Sequence, residues 1–404
     1  MASSERSNGL LSGLRVLSFG QFIAGNTPPV LLAELGAEVV KIESFNRPEV
    51  LRTPSYAIGP PVTEPSGIPQ TLMLSTMTRG VHNASLDLNT EPGRDVFRRL
   101  VAECDIVIEN IAGSVLKRWE CDFESVKHLN DRLVWLGISG FGRSGPRNGY
   151  LGYASAMSGY LGLSKAWGYG HGTHTDHFTA NTALVATLAA TIERERSDGP
   201  VFIDIGQIDA MATPNASIYL DPLNNGRDYL VPPNTRPGSW LSGVYAAAYH
   251  DTWVAVDIEN RDDWKTLCEY LQVPDLDAET YDDASTKAEA LSAVLAGWVS
   301  TRTPNAAFRA LQKAGLAAAN VQTVEDTSRD PQLHHRHYPV KHDHVSLGLR
   351  DYPGSAQRWT KTPGAVTSAG PLLGQHTHDV LRAWIGANDA ELAEWEAAGA
   401  IFQA

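Results

Sequence analysis

Alternating apolar and polar blocks along the first half of the chain predict a doubly wound α/β domain. The runs Arg15–Phe19 and Glu38–Ile42 are typical of buried strands. The helix between them is expected to begin at Pro28, with Thr27 as its cap. Strands and helices continue to alternate, which favours a Rossmann-like, mainly parallel sheet. Further strands are predicted at 105–109, 133–139 and 201–205, with helices at 90–103 and 123–129.

A second pattern follows a turn-rich stretch at 221–240, which reads as a linker after a large domain of residues 1–220. The runs 243–249 and 252–257 predict a β-hairpin, and helices are predicted near 261–271, 286–300 and 305–314. We therefore expect a smaller α+β domain over 241–330. Residues 331–404 are expected to be irregular up to a helix near 377–385, and to return to the large domain and complete it.

The segment 172–196 carries the main candidate chemistry. A polar loop leads to Asp176 at the start of a helix, and the small Thr179, Ala180 and Thr182 are expected to leave open space beside the carboxylate. A carboxylate beside open space can attack an activated acyl group. Alternatively, Asp176 only caps the helix and favours its positive end. His177 is expected to point elsewhere, because adjacent helical residues do not share a face.

Composition narrows the class of protein. Of 404 residues, 43% are hydrophobic and 20% are charged, as in an ordinary soluble enzyme. The net charge of −13 argues against nucleic acid or an anionic membrane as the main partner. No apolar stretch has the length of a membrane span and residues 1–8 lack a signal region, so we expect a cytoplasmic protein. Three scattered cysteines are typical of reduced thiols.

Other common site motifs are not found. The loop 19–26 follows the first strand, where doubly wound folds bind ligands, but it lacks the G-x-G-x-x-G spacing of dinucleotide sites. The chain has neither a Walker phosphate loop nor a G-x-S-x-G elbow. The histidine-rich run 330–344 lacks regular ligand spacing and partnering cysteines, so a solvated loop is preferred over a metal site.

Several longer sequence blocks occur in a fixed order along nearly the whole chain. They are Leu11–Glu43, Ser85–Arg94, Asp105–Asn110, Ile138–Pro146, Asp176 with its helix, Gly243–Tyr245, Asp330–Leu333 and Pro371–Thr377. In this order they resemble the class III CoA-transferase family, also called the carnitine and bile-acid CoA-transferase family, which includes formyl-CoA transferases. The resemblance implies an enzyme, an acyl-CoA:carboxylate CoA-transferase.

The resemblance implies that Asp176 is the nucleophile. Its carboxylate would attack the thioester of a donor acyl-CoA, giving a mixed anhydride, and the returning thiolate would give an aspartyl-CoA thioester. An acceptor acid would then capture CoA through a second anhydride. The implied ligands are coenzyme A, carried as a thioester, and small carboxylic acids, with no metal, nucleic acid or membrane.

The resemblance also implies residues that bind CoA. Asn110 and Arg118 match adenosine-pocket positions, and Trp119 is placed to stack on adenine. Phe22 and Ala24 match a loop near the pantetheine thiol.

Two further basic positions and the substrate pocket follow from the same resemblance. Arg52 and Arg79 match positions near the CoA phosphates, where exposed contacts are expected. Backbone amides near Gly140 and in the loop 22–25 are candidate oxyanion donors. The substrate pocket is expected to contain Gln21, Ile23, Gly140 and Tyr150.

Two alternatives stay open. An acyl-CoA racemase or epimerase of the same family would use a histidine where Tyr150 stands, and one aspartate does not easily supply both acid and base. A subunit of a heteromeric CoA-transferase, with little activity alone, is suggested by departures from the family's basic motifs at Val81-His82 and Ile111–Gly113. The family forms interlocked dimers in which each chain threads a ring made by its partner, so a homodimer or a heteromer with a related subunit is expected.

Overall fold

The fold divides into two compact units. The structure is a computed structural model that describes residues 9–56, 60–167, 173–227, 234–362 and 364–404. The first unit contains the described residues up to Lys165, those from Thr173 to Ala216, and His334–Ala404. The second contains residues 166–167 and the described part of Ser217–Leu333.

In the described residues, the strands form one large parallel sheet and three small antiparallel ones. The large sheet has the order β5-β2-β1-β6-β7-β8, and its neighbouring strands all pair in parallel. The predicted mainly parallel sheet is thereby confirmed. The strands are β1 Arg15–Phe19, β2 Glu38–Glu43, β3 Val62–Thr63, β4 Pro69–Gln70, β5 His82–Ser85, β6 Ile106–Glu109, β7 Val134–Ser139, β8 Val201–Gly206, β9 Leu241–Ala246, β10 Trp253–Ile258, β11 Ala317–Asn320, β12 Pro339–His344 and β13 Gly348–Pro353.

Helices connect these strands, and four short 3₁₀ turns supplement them at 50–52, 54–56, 127–129 and 274–276. The helices are α1 Phe22–Glu34, α2 Leu72–Met77, α3 Glu91–Glu103, α4 Gly113–Arg118, α5 Phe123–Val126, α6 Ala154–Tyr160, α7 Leu163–Trp167, α8 His174–Glu193, α9 Gln207–Ala212, α10 Ala216–Asn225, α11 Arg261–Leu271, α12 Tyr281–Ser300, α13 Pro304–Lys313, α14 Val324–Ser328, α15 Pro331–His335, α16 Thr377–Ile385 and α17 Asp389–Ala397. Among the described residues, none of these helices is both long and apolar enough to cross a membrane.

The order of the large sheet reverses between β1 and β6. From β1 the chain proceeds outward through β2 and β5, whereas β6, β7 and β8 lie on the other side. The loops that follow the carboxyl ends of β1 and β6 therefore diverge and open a crevice, the usual ligand site of such sheets. Gly20 and Gln21 follow β1, and Asn110 follows β6.

Alternate strand residues build a hydrophobic core on each face of this sheet. Leu17, Val107 and Trp135 pack on one face with α3 and α16, whereas Val16 and Leu136 pack on the other with α1 and α8. This period of two fits strands buried on both sides.

The C-terminal segment completes the first unit. The backbone amide of Gly374 donates to Asn83 Oδ1 (2.7 Å), and the amide of Ser85 donates to Thr377 Oγ1 (2.9 Å), so the segment is bonded to edge strand β5. Trp384 on α16 packs in the core, and its Nε1 donates to Glu38 Oε1 (2.8 Å).

The second unit is a small α+β fold. Strands β9 and β10 form the predicted hairpin, and β11 pairs antiparallel with β10. Asp251 in the hairpin turn has a φ of 53°, a conformation that Asp tolerates better than most residues. Helices α11, α12 and α13 pack their apolar faces on this three-stranded sheet.

The local structure differs from the pattern in three places. Helix α1 begins at Phe22 instead of Pro28, because the side chains of Asn26 and Thr27 bond back to the carbonyls of Phe22 and Ile23 within the helix. The expected linker at 221–240 begins as helix α10, which extends to Asn225, and residues 228–233 lie outside the described part. The segment after 330 is irregular only in part, since it contains α15, the β12–β13 hairpin and, near its end, α17.

Replacing Trp384 with alanine should test how strongly the C-terminal segment stabilises the first unit. Trp384 is nearly fully buried, so Trp384→Ala is expected to lower the free energy of unfolding by about 3–5 kcal/mol. Trp359→Ala is a matched control at a half-exposed tryptophan, and its effect should stay within about 0.5 kcal/mol. Urea unfolding followed by circular dichroism measures both. Equal effects of the two substitutions would contradict this account.

Candidate active site

Asn110 locks the loop after β1 at the sheet's crevice. Its Oδ1 accepts from the backbone amide of Gln21 (2.8 Å), and its Nδ2 donates to the carbonyl of Gln21 (2.9 Å). A Cβ on Gly25 would lie 2.6 Å from Asn110 Oδ1, so glycine is needed there for this close approach. The structure thus brings Asn110 and Gln21 together, but both polar atoms of the Asn110 side chain are hydrogen-bonded to the backbone of the loop.

Phe22 has a left-handed backbone conformation, with a φ of 56°. This is uncommon for a bulky residue and requires stabilisation by its surroundings. The amide of Phe22 donates to Oε1 of Glu49 (3.0 Å), a carboxylate that is only 2% exposed. Lys41 Nζ pairs with the other Glu49 oxygen (3.1 Å) and also bonds to the Gly20 carbonyl and to Asn26 Oδ1. A buried ion pair therefore fixes the strained start of α1.

Arg52 and Arg79 do not present the exposed contacts that we expected. Arg52 is 2% exposed and lies between Glu43 (2.6 Å) and Glu64 (2.6 Å). Burial opposes ionisation of Glu43, but Arg52 still holds the pKa of that carboxyl at about 2. Arg79 is nearly buried and paired with Glu34 (2.6 Å). Both guanidinium groups thus have partners within the fold, so the expectation that they are exposed is wrong. Their contact with CoA phosphates stays a prediction.

Arg118 and Trp119 lie at the end of α4. Arg118 is exposed, and it forms no ion pair within the described ranges. Trp119 is half-buried against the sheet core, with its backbone amide bonded into the last turn of α4. Arg118 is therefore the basic residue among those predicted that stays open to an anionic ligand.

Asp176 is the third residue of α8 and is not its cap. The N-cap is Thr173, and no side-chain capping hydrogen bond is present at this end among the described residues. The carboxylate still lies in the first helical turn, where the helix dipole favours negative charge. Thr179 and Ala180 are fully buried, so they pack inside the fold instead of lining open space as predicted. The polar loop expected before Asp176 begins at residue 172, and residues 168–172 lie outside the described part.

Gln207 is the hydrogen-bond partner of Asp176. It follows β8 directly, and its Nε2 donates to Asp176 Oδ1 (2.6 Å). Burial raises the pKa of Asp176 to about 6, and the bond from Gln207 opposes that rise. No ion pair of Asp176 occurs among the described residues, so a neutral amide alone holds a partly desolvated carboxylate. Partial burial and nearby His174 lower the pKa of His177, which favours its neutral form.

Backbone contacts bring the ends of β7 and β8 together beside this pair. The amide of Ile208 donates to the carbonyl of Gly140 (3.2 Å). Gly140, predicted as a pocket residue, therefore contacts the residue that follows Gln207 in the chain. A Cβ on Gly206 would lie 3.0 Å from the backbone nitrogen of Gly142, so the two loops approach closely at this junction. Tyr150 is 58% exposed and packs edge-on against Phe141, with ring centroids 5.6 Å apart.

The β1 loop and the Asp176 helix are linked through the start of α6. Thr175 Oγ1 donates to the carbonyl of Ala154 (3.3 Å), and the ring of the preceding Tyr153 packs on Phe22 (5.1 Å). Phe22, and with it the neighbouring half-buried Ile23 and buried Ala24, therefore belongs to the same region as Asp176. Among the described residues, neither Arg118 nor Arg79 bonds to Phe22, Tyr153 or Asp176. Arg52 is connected to this region, because its backbone amide donates to the carbonyl of Glu49 (3.0 Å).

Three contributors were missed from the sequence. Gln207 could have been found, because it follows the carboxyl end of a strand in a parallel sheet, where ligand sites occur. Glu49 and Tyr153 carry no sequence signal, since each acts through a partner distant along the chain. In the described residues, no group of three or more His, Cys, Asp or Glu side chains is arranged to hold a metal ion.

The family model and the similar proteins both indicate a CoA-transferase family. Residues 11–377 match the family model of CoA-transferase family III. The chain is 29% identical over 93% of its length to a probable CoA-transferase of Mycobacterium tuberculosis, of which it spans only 48%. It is 28% identical over 92% of its length, and 96% of the relative's, to a succinyl-CoA:mesaconate CoA-transferase of Haloarcula hispanica. A crystal structure of a CaiB/BaiF family protein from Brucella suis superimposes with a TM-score of 0.81, at 25% identity, over 93% of this chain and all of that one.

Substituting Asp176 should reveal the energetic cost of keeping a carboxylate at this position. Because its pKa is raised from 3.8 to about 6, the folded state loses stability as the pH rises through this interval. We expect Asp176→Asn to be more stable than the wild type at pH 7, with a difference that vanishes below about pH 4. Thermal melting between pH 3.5 and 8 measures this, with Asp351→Asn as an exposed control. A pH-independent difference would contradict the raised pKa.

Proposed function

Because this chain belongs to CoA-transferase family III, we propose that it moves CoA from an acyl-CoA donor to a carboxylic acid through covalent intermediates on Asp176. The observation that carries the proposal is the state of this carboxylate. It lies at a helix N-terminus, partly desolvated, with one neutral hydrogen-bond donor and a pKa of about 6. Such a group is ionised at neutral pH and yet poorly solvated, which favours nucleophilic attack.

The reaction balances without a proton donor, a metal or an oxidant. Asp176 Oδ2 attacks the thioester carbonyl of the donor, the C–S bond breaks, and CoA thiolate leaves behind a mixed anhydride. The thiolate attacks the aspartyl carbon, the bond from that carbon to Oδ2 breaks, and the donor acid leaves as a carboxylate. An oxygen of the acceptor carboxylate then attacks the aspartyl carbon, the C–S bond breaks, and a second anhydride forms. The thiolate attacks the acceptor acyl carbon, the bond from that carbon to the bridging oxygen breaks, and this oxygen stays on the aspartyl carbon, which regenerates the Asp176 carboxylate.

The geometry supports Oδ2 as the attacking atom. Oδ1 is engaged by Gln207, whereas no hydrogen bond to Oδ2 occurs among the described residues. A carboxylate held in one orientation gains effective concentration against a bound thioester. The fixed loop at Phe22 and the exposed Arg118 are the described groups that we assign to the CoA arm and to an anionic part of CoA.

The relatives suggest the chemistry of the substrates. The Haloarcula hispanica relative is named for succinyl-CoA and mesaconate, so acyl-CoA donors and organic acids are the substrates to test first. We expect the active form to be a dimer, in line with the family resemblance, and a cytoplasmic enzyme. Sedimentation of the purified chain distinguishes a dimer from a monomer that needs a related subunit.

Conservative substitution of Asp176 tests the covalent mechanism. Both Asp176→Asn and Asp176→Ala are expected to abolish exchange of CoA between thioesters and acids, because an amide or a methyl group cannot form the anhydride. A role in helix stabilisation alone predicts that Asp176→Asn keeps most of its activity. The exchange is measured by mass spectrometry of the acyl-CoA products, with Asp204→Asn as a control at a neighbouring carboxylate on β8.

Chemical trapping supplies a second measurement of the same mechanism. Wild-type enzyme given acyl-CoA and then borohydride or hydroxylamine should be modified at residue 176, as seen by peptide mass spectrometry. A fully active Asp176→Asn enzyme, or modification at another carboxylate, would overturn the proposed mechanism.

A further inference from the structure

We propose that Gln207 is a catalytic residue that stabilises the oxyanion formed on Asp176 itself when CoA attacks the aspartyl carbon. This inference rests on the proposed function, because it assigns the donor for one of its steps. It is carried by the 2.6 Å contact between Gln207 Nε2 and Asp176 Oδ1. The resemblance to CoA-transferases suggested only backbone amides near Gly140 and in the loop 22–25 for such a role.

The orientation of the Gln207 amide follows from its partner. An ionised carboxylate only accepts hydrogen bonds, so the amide nitrogen must face Asp176. Gln207 is almost completely buried, which keeps water from competing for this donor. Its position is fixed by the β8–α9 junction, where the neighbouring Ile208 bonds to Gly140 (3.2 Å) and Gly206 permits a tight approach of the chain. The donor is therefore rigidly placed before the reaction starts.

Oδ1 becomes the oxyanion once Oδ2 carries the acyl group. After the first attack, Oδ1 is the carbonyl oxygen of an aspartyl anhydride. When the thiolate sulfur bonds to the aspartyl carbon, the electron pair of the carbonyl moves to Oδ1, and it returns as the carbon–Oδ2 bond breaks. The charge thus develops on an atom that already accepts a hydrogen bond from Gln207. A preorganised donor at such a distance is the requirement for oxyanion stabilisation.

The same contact has the opposite effect on the first step. There Asp176 is the nucleophile, and a hydrogen bond to its ionised form stabilises the ground state and lowers its basicity. Loss of Gln207 should therefore impair the steps at the aspartyl carbon far more than the attack on the donor thioester. This split separates a catalytic role from a purely structural one.

The variant Gln207→Leu, which keeps the side-chain volume, tests the assignment. We expect acid-to-acid CoA transfer to fall about 10²–10³-fold. Donor thioester should still be consumed, because the anhydride that accumulates is hydrolysed, so the ratio of hydrolysis to transfer rises. The acid limb of the pH–rate profile should move upward, because Gln207 lowers the pKa of Asp176.

Matched measurements keep the assignment falsifiable. Gln312→Leu removes a comparable amide donor, which bonds to the Ala318 carbonyl (2.7 Å), and should leave the ratio and the pH profile unchanged. Equal loss of hydrolysis and transfer in Gln207→Leu with an unmoved acid limb, or full transfer activity, would overturn the role of Gln207. An active Asp176→Asn enzyme would instead refute the proposed function.

Independently, the aromatic side chains beside the Asp176 helix point to the acyl group. Phe22 packs edge-on against Tyr56 (centroids 6.0 Å apart) and tilted against Tyr153 (5.1 Å). Tyr153 is nevertheless 67% exposed, although an aromatic ring gains most by burial. The Glu49 contact fixes the backbone of Phe22, and its ring contacts both tyrosines; we call Phe22, Tyr56 and Tyr153 the aromatic wall.

We infer that the aromatic wall receives an aromatic or other bulky apolar acyl group, again on the premise of the proposed function. The wall is joined to the Asp176 helix by the bond from Thr175 to the residue after Tyr153. Lys41, which approaches the loop of Phe22, is already paired with Glu49, so it offers no free charge to a second carboxylate. The guanidinium of Arg147 also has a partner within the fold, since it lies over the ring of Tyr160 (5.4 Å) and donates to its hydroxyl.

Identity exchange between an acid and its own thioester tests this substrate class without a presumed partner. Isotope-labelled benzoate with benzoyl-CoA should exchange faster than labelled succinate with succinyl-CoA. Tyr153→Ala should reduce benzoate exchange about tenfold and leave succinate exchange within about twofold. Tyr249→Ala, at a similarly exposed tyrosine, is the control. Faster succinate exchange, or an equal loss of both in Tyr153→Ala, would refute the inference; absence of exchange with every acid would refute the proposed function.

Discussion

The buried pair of Lys41 and Glu49 is the interaction on which the geometry of the crevice depends. Glu49 accepts from the amide of Phe22, and Lys41 bonds to Asn26 and to the carbonyl of Gly20. Removing one partner of such a pair leaves a charge buried without compensation, which is strongly unfavourable. The strained backbone of Phe22 can persist because these charges and the Asn110 clamp determine the loop from both sides.

The charged side chains near the crevice differ in whether a partner of opposite charge lies beside them. Arg52 lies among carboxylates that belong to its own fold, although its position in the sequence suggested an anionic ligand. The carboxylate of Asp176 has no such ion pair among the described residues, and its hydrogen bond there comes from the neutral amide of Gln207. The fold therefore pairs Arg52 internally and leaves the Asp176 carboxylate without a cationic partner among the described residues, as expected of a functional group.

The site is assembled from the ends of several strands of one sheet. Gln21 follows β1, Asn110 follows β6, Gly140 follows β7 and Gln207 follows β8. A parallel sheet places all these ends on one edge, so chemistry-bearing residues that are far apart in the chain meet there. The helix of Asp176 adds the carboxylate beside them. The β8 strand end and the α8 helix fix the donor Gln207 and the carboxylate of Asp176 at a short contact (2.6 Å).

The sequence by itself determined the parallel sheet and the hairpin of the second unit, and these features depend on local patterns: apolar runs of strand length with helices between them. Asp176 became the candidate nucleophile through the family resemblance, because an acidic residue at a helix start is by itself equally expected of a residue that caps the helix. The start of α1 and the β12–β13 hairpin were missed, because back-bonding side chains and strand pairing override local turn signals. Only the tertiary structure decided that Arg52 is an internal ion-pair partner, that Thr179 is buried and that Gln207 faces Asp176. Each of these depends on which distant carboxylate, helix or strand end the fold brings within a few ångströms, and a one-dimensional pattern contains no such distances.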